Sequence, residues 1–144
     1  MLCWAAATAF VTLGKFCLGS SQLTKRLLPV FMRELASNSS PAVRNNALVV
    51  LHDLTKWHTA LIDPHVPAMA RSLRDPSPFV RQQALLLVSD LLNSEIIKWG
   101  GKPALFRAFA VTLVDKEPAL RAAAHGCLFD LLLPRIEQKK RPSF

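Results

Sequence analysis

One pattern of residues occurs three times in this chain, at 40–54, 77–91 and 117–131. Each copy has Pro in second place, Arg in fifth, Ala in eighth and Asp-Leu at its end, and the copies align without gaps. The pattern recurs after 37 and then 40 residues. Repetition at this interval is typical of stacked supersecondary units, each of which buries its apolar face against its neighbours. A single compact core with one copy of each element is therefore not expected.

Each copy predicts one amphipathic helix, because its apolar residues recur at intervals that place them on a single helix face. The recurring alanine of that face is small enough to let a neighbouring helix approach closely. The three predicted faces are Val43, Ala47, Val50, Leu51 and Leu54 in the first copy, Val80, Ala84, Leu87, Val88 and Leu91 in the second, and Leu120, Ala124, Cys127, Leu128 and Leu131 in the third.

The start of each copy indicates where its helix begins. Pro41, Pro78 and Pro118 fit the first helical position, where the missing N–H of proline costs nothing. Ser40 and Ser77 come directly before two of these prolines. We expect them to be N-caps, since a serine hydroxyl can accept a hydrogen bond from an unpaired amide of the first turn.

A partner helix is expected before each copy, within 23–35, after Asp63-Pro64 and near Pro103. Pro29 and Pro67 occupy matching places in the first two partners, so we expect a kink or a late helix start there. Helix pairs at this period are typical of HEAT and armadillo repeats. The sequence therefore predicts an all-α fold, an α-solenoid of HEAT-type helical hairpins with about three and a half repeats and roughly seven helices.

The N-terminal segment fits the second helix of an incomplete repeat, with Ala9 at the small position and Leu13 at the position of Leu51. This indicates a piece of a longer protein. Its apolar run is shorter than the about 20 residues that span a bilayer, and no membrane association is expected. A secretory signal is the alternative, although the positive charge follows the apolar run. The predicted units are an incomplete repeat at 1–19, repeats at 20–58, 59–94 and 95–134, and a basic tail at 135–144.

Polar residues in the turn of each hairpin form a second regularity, because Asn or Asp precedes an arginine by six residues. Such residues can pair within one repeat or between stacked repeats, and a ladder of these pairs would set the stacking register. An exposed pair of this kind contributes only about 0–1 kcal/mol. The ladder residues are Asn38 and Arg44, Asp75 and Arg81, and Asp115 and Arg121.

The residue types that carry out catalysis or bind metals lack the necessary spacing. His52 and His58 are six residues apart, whereas two zinc ligands on one helix face are four apart. Cys127 occupies the place of Val50 in its repeat, which favours a core position. The odd number of cysteines implies no disulfide framework. We therefore expect no enzyme activity, no cofactor, no metal and no small-molecule substrate.

Basic residues are the one functional signal in the composition, with 18 Lys and Arg against 10 Asp and Glu and a formal charge of +8. On one face of a solenoid they would neutralise phosphates without reading bases. The alternative is an ordinary solvated helix surface. The candidate nucleic-acid-binding residues are Lys25, Arg26, Arg33, Arg71, Arg74, Lys98, Lys102, Arg107, Lys139, Lys140 and Arg141.

An ordered series of segments resembles the HEAT-repeat core of the D-class non-SMC subunits of condensin. The resemblance covers about residues 9–133, and the segment with Trp99 is more similar to the condensin II member. Both ends of the chain depart from the family pattern. The series is Val43-Arg44-Asn45-Asn46-Ala47, Asp53-Leu54, Leu61-Ile62-Asp63, Leu73-Arg74-Asp75-Pro76-Ser77-Pro78-Phe79-Val80-Arg81, Asp90-Leu91-Leu92, Ile97-Lys98-Trp99-Gly100-Gly101 and Leu113-Val114-Asp115.

The resemblance implies a non-catalytic scaffold that acts in mitotic chromosome condensation, in the nucleus and on the chromosome. The implied partners are the condensin subunits, namely the kleisin and the SMC-containing complex, together with DNA or histones in chromatin. The family's ATPase belongs to the SMC subunits, so no catalytic residue is carried over. A generic α-solenoid adaptor for protein interactions, without a role on DNA, is the competing hypothesis.

Overall fold

The computed structural model describes residues 2–134 and residue 137, with the side chains of residues 2–4, 131 and 132 excepted. These residues are mostly helical and include no strand, so the predicted all-α class is confirmed. No described helix combines the length and the apolar character that crossing a membrane requires. The boundaries of the repeat units stay a prediction, and the tail at 135–144 lies outside the described residues except Glu137.

The helices follow one another with short connections. Two short helices and two 3-10 turns between residues 59 and 74 together form one broken helix, which pairs with the helix after it. The described helices are α1 (Leu2–Leu18), α2 (Ser21–Ser37), α3 (Pro41–Trp57), α4 (Thr59–Ile62), α5 (Val66–Ala70), α6 (Pro78–Asn93), α7 (Pro103–Thr112) and α8 (Pro118–His125), with 3-10 turns at Asp63–His65 and Arg71–Arg74 and a π-helical segment at Gly126–Leu132.

The helices pack in two layers, as expected for an α-solenoid. Helices α1, α3, α6 and α8 stack side by side in one layer, which we call the second-helix layer. Helix α2, the broken helix and α7 form the first-helix layer, and each packs against the helix that follows it. Each hairpin therefore contributes one helix to each layer, and the apolar core lies between them.

The predicted apolar faces point into this core, except that the side chain of Leu131 lies outside the described residues. Val43, Val80 and Leu120 are 2%, 0% and 4% exposed. Ala47 and Ala84 are fully buried, as is the alanine at the same place in α8. Small residues at these places allow the helices of the second-helix layer to lie close together. The three equivalent copies in the sequence thus occupy equivalent places in the structure.

Helices α3, α6 and α8 begin at Pro41, Pro78 and Pro118, as predicted. The expected capping by serine is wrong, because the side chains of Ser40 and Ser77 make no capping hydrogen bond. Instead, the turn residue two places earlier accepts a hydrogen bond from the backbone amide of the residue that precedes each proline. Asn38 Oδ1 accepts from the Ser40 amide at 2.8 Å, Asp75 Oδ1 from the Ser77 amide at 2.8 Å, and Asp115 Oδ1 from the Glu117 amide at 2.9 Å. Asp and Asn favour such turns because their side chains reach an amide two residues on.

The two prolines inside first helices behave differently. Helix α2 begins eight residues before Pro29 and continues through it, so the late start is wrong there, and the kink that was its alternative stays a prediction. Pro29 lies on the exposed side of α2, where water can solvate the carbonyl that loses its partner. Helix α5 begins at Val66 with Pro67 in its first turn, which is the late start that the sequence predicts.

The predicted orientation of α1 is wrong, since Ala9 and Leu13 face solvent and Leu13 is 41% exposed. The buried face of α1 includes Gly14 instead. A Cβ atom on Gly14 would lie 2.6 Å from Val50 Cγ2, so this glycine allows close contact between α1 and α3. Phe10 supports the same orientation through an edge-on contact with Phe31, with ring centroids 5.9 Å apart.

Candidate functional site

In two of the hairpins, an arginine joins the turn to the next repeat. Arg44 donates from Nε to Asp75 Oδ2 and from Nη2 to Asp75 Oδ1, both at 2.8 Å. Its third nitrogen, Nη1, donates to the Asn38 carbonyl oxygen at 2.7 Å. Arg44 therefore binds the turn of its own hairpin and the turn of the following hairpin at the same time.

Arg81 repeats this geometry one hairpin further along. It donates from Nε and Nη2 to the carboxylate of Asp115 at 2.8 and 3.0 Å, and from Nη1 to the Asp75 carbonyl oxygen at 2.9 Å. The carboxylate of each pair thus comes from the next repeat, and only the backbone carbonyl comes from the arginine's own turn. The sequence left both arrangements open.

Both inter-repeat pairs are more buried than the sequence suggested. The side chains of Arg44 and Asp75 are 10% and 6% exposed, and those of Arg81 and Asp115 are 12% and 9% exposed. Little solvent screens such pairs, and each removes two charges from water. The bidentate geometry compensates because both carboxylate oxygens accept from the planar guanidinium.

The two outer members of the ladder have other contacts. Arg121 donates from Nη1 to the carbonyl oxygens of Asp115 and Lys116, at 2.6 and 3.2 Å. The Asn38 side chain donates to Glu34 Oε2 at 2.7 Å. This bond, followed by the one from Arg33, holds the pKa of Glu34 below its ordinary value.

The environment of Asp115 illustrates how the ladder stabilises a carboxylate. Burial is the largest single influence on this group and favours the neutral form. The hydrogen bonds from Arg81 and from the Glu117 amide, together with the charges of Arg81 and Arg121, outweigh it and lower the pKa of Asp115. The carboxylate therefore stays ionised in the folded chain.

A second polar cluster joins α3 to α6 within the second-helix layer. Asp90 Oδ2 accepts from Lys56 Nζ at 2.7 Å and lies 2.8 Å from His52 Nε2. The other ring nitrogen of His52 lies 3.1 Å from Asp53 Oδ1. Hydrogen bonding from Lys56, and then from His52, lowers the pKa of Asp90. Sequence reasoning treated the recurring Asp as structural but missed its partners. The i, i+4 spacing of a histidine and a lysine on α3 was the available signal.

The candidate nucleic-acid-binding residues lie mainly in the first-helix layer and in the connection before α7. Lys102 is half-buried and donates to Asp63 Oδ2 at 3.0 Å, and Arg33 pairs with Glu34 at 3.1 Å. Lys139, Lys140 and Arg141 lie outside the described residues. The exposed candidates are Lys25, Arg26, Arg33, Arg71, Arg74, Lys98 and Arg107.

Three of the exposed cations line one groove. This groove has a volume of about 200 Å³ and lies between the broken helix and α7. It is lined by Arg71, Arg74 and Arg107 together with Pro67, Ala104 and Ala108. We call it the arginine groove. The structure thus brings together three cations that are distributed over two helices.

The described residues include no cluster of three or more His, Cys, Asp or Glu side chains that could hold a metal ion. Cys17 is buried, and burial raises the pKa of its thiol. Its carbonyl oxygen lies 3.1 Å from His58 Nε2, and it accepts a hydrogen bond from Thr24 at 2.9 Å. Cys17 therefore belongs to the contact between α1, α2 and α3.

Two family models match this chain. A model described as non-SMC mitotic condensation complex subunit 1 matches residues 42–138. A model for the HEAT repeats of proteins like condensin-2 complex subunit D3 matches residues 4–35. The matches cover both the stacked hairpins and the N-terminal helices.

Several curated proteins are similar over most of this chain. Condensin-2 complex subunit D3 of Mus musculus is 41% identical over 129 residues, which are 90% of this chain and 8% of that protein. Condensin-2 complex subunit CAP-D3 of Arabidopsis thaliana is 37% identical over 93% of the chain and 10% of its own length. Condensin complex subunit 1 of Homo sapiens is 34% identical over 88% of the chain and 9% of its own length. The chain thus spans a tenth or less of these relatives.

Proposed function

This chain belongs to the family of non-SMC HEAT-repeat subunits of condensin, and we propose that it acts as a scaffold segment of a condensin II regulatory subunit in mitotic chromosome condensation. Its proposed partners are the kleisin and the SMC-containing complex, and its proposed location is the nucleus and the chromosome. The proposed role is to bind and position partners, without a catalytic step.

The observation that carries this proposal is the stack of helical hairpins in the described part of residues 42–138, where the family model matches. Arg44 and Arg81 connect consecutive hairpins through nearly buried ion pairs. A stack with its register held in this way presents side chains of several repeats at constant distances. Such a surface suits a protein that holds other subunits in place, as solenoids do with their extended faces.

We further propose that exposed cations of the first-helix layer contact the phosphates of duplex DNA. Lys25 and Arg26 lie side by side on α2, and neither forms an ion pair with the described residues. Binding through such residues releases counterions and depends on charge rather than on base sequence. Sequence-independent binding is the kind that a chromosome-condensing complex requires.

Recovery of condensin subunits tests the scaffold function. The tagged chain, expressed in mitotic cells, is expected to co-purify with the kleisin and SMC subunits of condensin II after mild cross-linking. A chain carrying Val80→Asp, which places a charge in the core, serves as the unfolded control and should recover none. Recovery of transport or trafficking proteins without condensin subunits would instead support the generic adaptor.

Fluorescence anisotropy with duplex DNA tests the nucleic-acid contact. We expect binding that weakens steeply with salt, and Lys25→Ala with Arg26→Ala should reduce the slope of log K against log salt by about two. Lys116→Ala is the control, because Lys116 lies in the turn before α8, away from α2. Absence of binding at low salt would contradict the proposed DNA contact but not the proposed scaffold function.

A further inference from the structure

Three grooves meet at the side chain of Arg74. The arginine groove lies on one side, between the broken helix and α7. A groove of about 330 Å³ lies towards the end of α2 and is lined by both Arg71 and Arg74. A third, of about 490 Å³, extends from Arg74 past Val111 and Val114 towards the turn before α8. The first-helix layer therefore carries a branched depression with cations at its centre.

The cations at this junction are held close together without a carboxylate to neutralise them. Arg71 and Arg74 belong to one 3-10 turn, where residues three apart project from the same side. Arg107 faces the same groove from α7. None of these arginine side chains forms an ion pair or hydrogen bond with another described residue. Like charges so arranged raise the local positive potential and favour an anionic ligand.

Three acidic side chains around these grooves already have partners, whereas the exposed Glu117 lines the third groove in the turn before α8. Both carboxylate oxygens of Asp75 accept from Arg44, and both oxygens of Asp115 accept from Arg81. Asp63 accepts from Lys102. Asp75 and Asp115 cannot turn towards the arginines without breaking the ladder, and Asp63 cannot do so without losing Lys102, so the three arginines are free to bind an anionic ligand.

The walls of the grooves indicate the class of ligand. Val111 and Val114 are 41% and 77% exposed, and both line the groove that extends from Arg74. Exposed apolar side chains beside arginines gain from contact with apolar side chains of a protein. Duplex DNA presents phosphates to a protein surface and would make no apolar contact with these valines.

We propose that the grooves around Arg74 bind a segment of a partner protein in which Asp and Glu alternate with apolar residues. The carboxylates would receive hydrogen bonds from Arg71, Arg74 and Arg107, in the manner of acidic motifs recognised by arginine clusters. The apolar residues would contact Val111 and Val114. This names a partner class for the scaffold function proposed above and rests on it.

A titration of the full chain with a labelled peptide tests the site. The probe is a short fluorescein-labelled synthetic peptide in which Asp and Glu alternate with Leu and Val. Its control is the same peptide with Asn and Gln in place of the acids. The groove variant combines Arg71→Ala, Arg74→Ala and Arg107→Ala. The matched variant combines Lys25→Ala, Arg26→Ala and Lys98→Ala, which remove the same charge from exposed positions that line none of these grooves.

We expect the acidic peptide to bind the unmodified chain and the amide peptide to bind much more weakly. The groove variant should lose roughly tenfold or more in affinity for the acidic peptide, since charge-assisted hydrogen bonds are lost, whereas the matched variant should lose less than about threefold. Circular dichroism melting curves of both variants should match that of the unmodified chain, because all six side chains are exposed.

Several outcomes would overturn the proposal. Equal losses in the two variants would mean that net charge alone governs binding. Equal affinity for the two peptides, or no binding of the acidic peptide, would mean that the grooves do not recognise carboxylates. Displacement of the peptide by duplex DNA, with a larger loss of DNA affinity in the groove variant, would assign the grooves to nucleic acid. Recovery of condensin subunits by the groove variant would leave the scaffold function intact in each case.

Discussion

At the scale of the residue, Arg44 and Arg81 each connect two hairpins with one side chain. Each guanidinium binds a carboxylate of the next turn and a backbone carbonyl of its own turn. Burying such a pair gives little net stability compared with an apolar pair of the same size. Its main contribution is to fix the register in which the hairpins stack, because a shift of one hairpin against the next would leave a buried carboxylate without a partner.

Replacing Arg44 by alanine is expected to lower the free energy of unfolding by about 3 kcal/mol, because Asp75 would stay buried without its counter-ion. Urea unfolding followed by circular dichroism measures the change. Arg33→Ala is the control, since the Arg33 side chain is 68% exposed and its pair with Glu34 should contribute less than about 1 kcal/mol. Equal small losses in both variants would show that the inter-repeat pair contributes no more to the free energy of unfolding than the exposed pair does.

Acid should weaken the fold through Asp115 and Asp90. Their pKa values are lower in the folded chain than the ordinary value of 3.8, so the unfolded chain binds protons first as the pH falls. Their contribution to stability is therefore complete well above pH 3.8 and is lost as the pH falls through the lowered folded values. The slope of unfolding free energy against pH in this acidic range measures the effect. Asp115→Asn should flatten that slope, and an unchanged slope would contradict the assignment.

At the scale of the element, the contact between α1 and α3 depends on one glycine. The backbone of α1 approaches Val50 so closely that no side chain fits at Gly14. The rotation of α1 follows from this contact, which turns Leu13 towards solvent even though a leucine there favours burial. Packing against a neighbouring helix thus overrides the local apolar pattern.

Gly14→Ala is expected to destabilise the chain by about 1–3 kcal/mol, because the added methyl group would overlap Val50 and this exceeds the gain in helix propensity. Thermal and urea unfolding measure the loss. Gly126→Ala is the matched control, since its Cβ would meet only Asp130 Oδ2 at an ordinary 3.5 Å. The double variant Gly14→Ala, Val50→Ala should lose less than the sum of the single changes. Strict additivity would argue against the close contact.

The broken helix is the element whose geometry matters most for ligand binding. Pro64 and Pro67 interrupt its hydrogen bonding, and its last turn at Arg71–Arg74 is a 3-10 turn. A regular α-helix would separate the directions of residues three apart by about 60°, whereas a 3-10 turn aligns them. This irregular segment therefore directs Arg71 and Arg74 to the same groove.

At the scale of the whole molecule, the layers place α3 and α6 in the interior of the stack. Helix α3 packs against α1 and α6, and α6 packs against α3 and α8. Each also packs on its first-layer partner. In a solenoid, stability is approximately a sum of repeat and neighbour-interface contributions, so the helices with most neighbours open least often.

Amide hydrogen exchange is expected to be slowest in α3 and α6, for example at the fully buried Leu51 and Leu85. Helix α1 should exchange faster, because within the described residues it contacts the second-helix layer on one side only. Exchange measured by NMR under native conditions checks this order. Protection in α1 equal to that in α3 would mean that the chain opens only by global unfolding.

Much of the fold was predictable from the sequence because helix formation depends on residues a few places apart. The spacing of Val43, Ala47 and their equivalents predicted the helices, their buried faces and the stack. Pro41, Pro78 and Pro118 predicted where the second helices begin. The same local logic predicted the polar turn residues, although it expected serine caps that do not form and missed the bonds from Asn and Asp to the amide before each proline.

The candidate site was only partly predictable, because its residues meet across layers. Arg44 and Asp75 are 31 residues apart, and nothing in the spacing distinguishes a partner in the same turn from one in the next repeat. The same holds for Arg107, which joins Arg71 and Arg74 through the packing of α7 on the broken helix.

The sequence by itself thus determined the class, the repeating hairpin and the apolar seam, since these arise from local periodicity. Only the tertiary structure decided the rotation of α1, the partner of each arginine and the convergence of cations on one groove. Those features depend on how closely neighbouring helices approach, and that distance is set by side chains from different repeats.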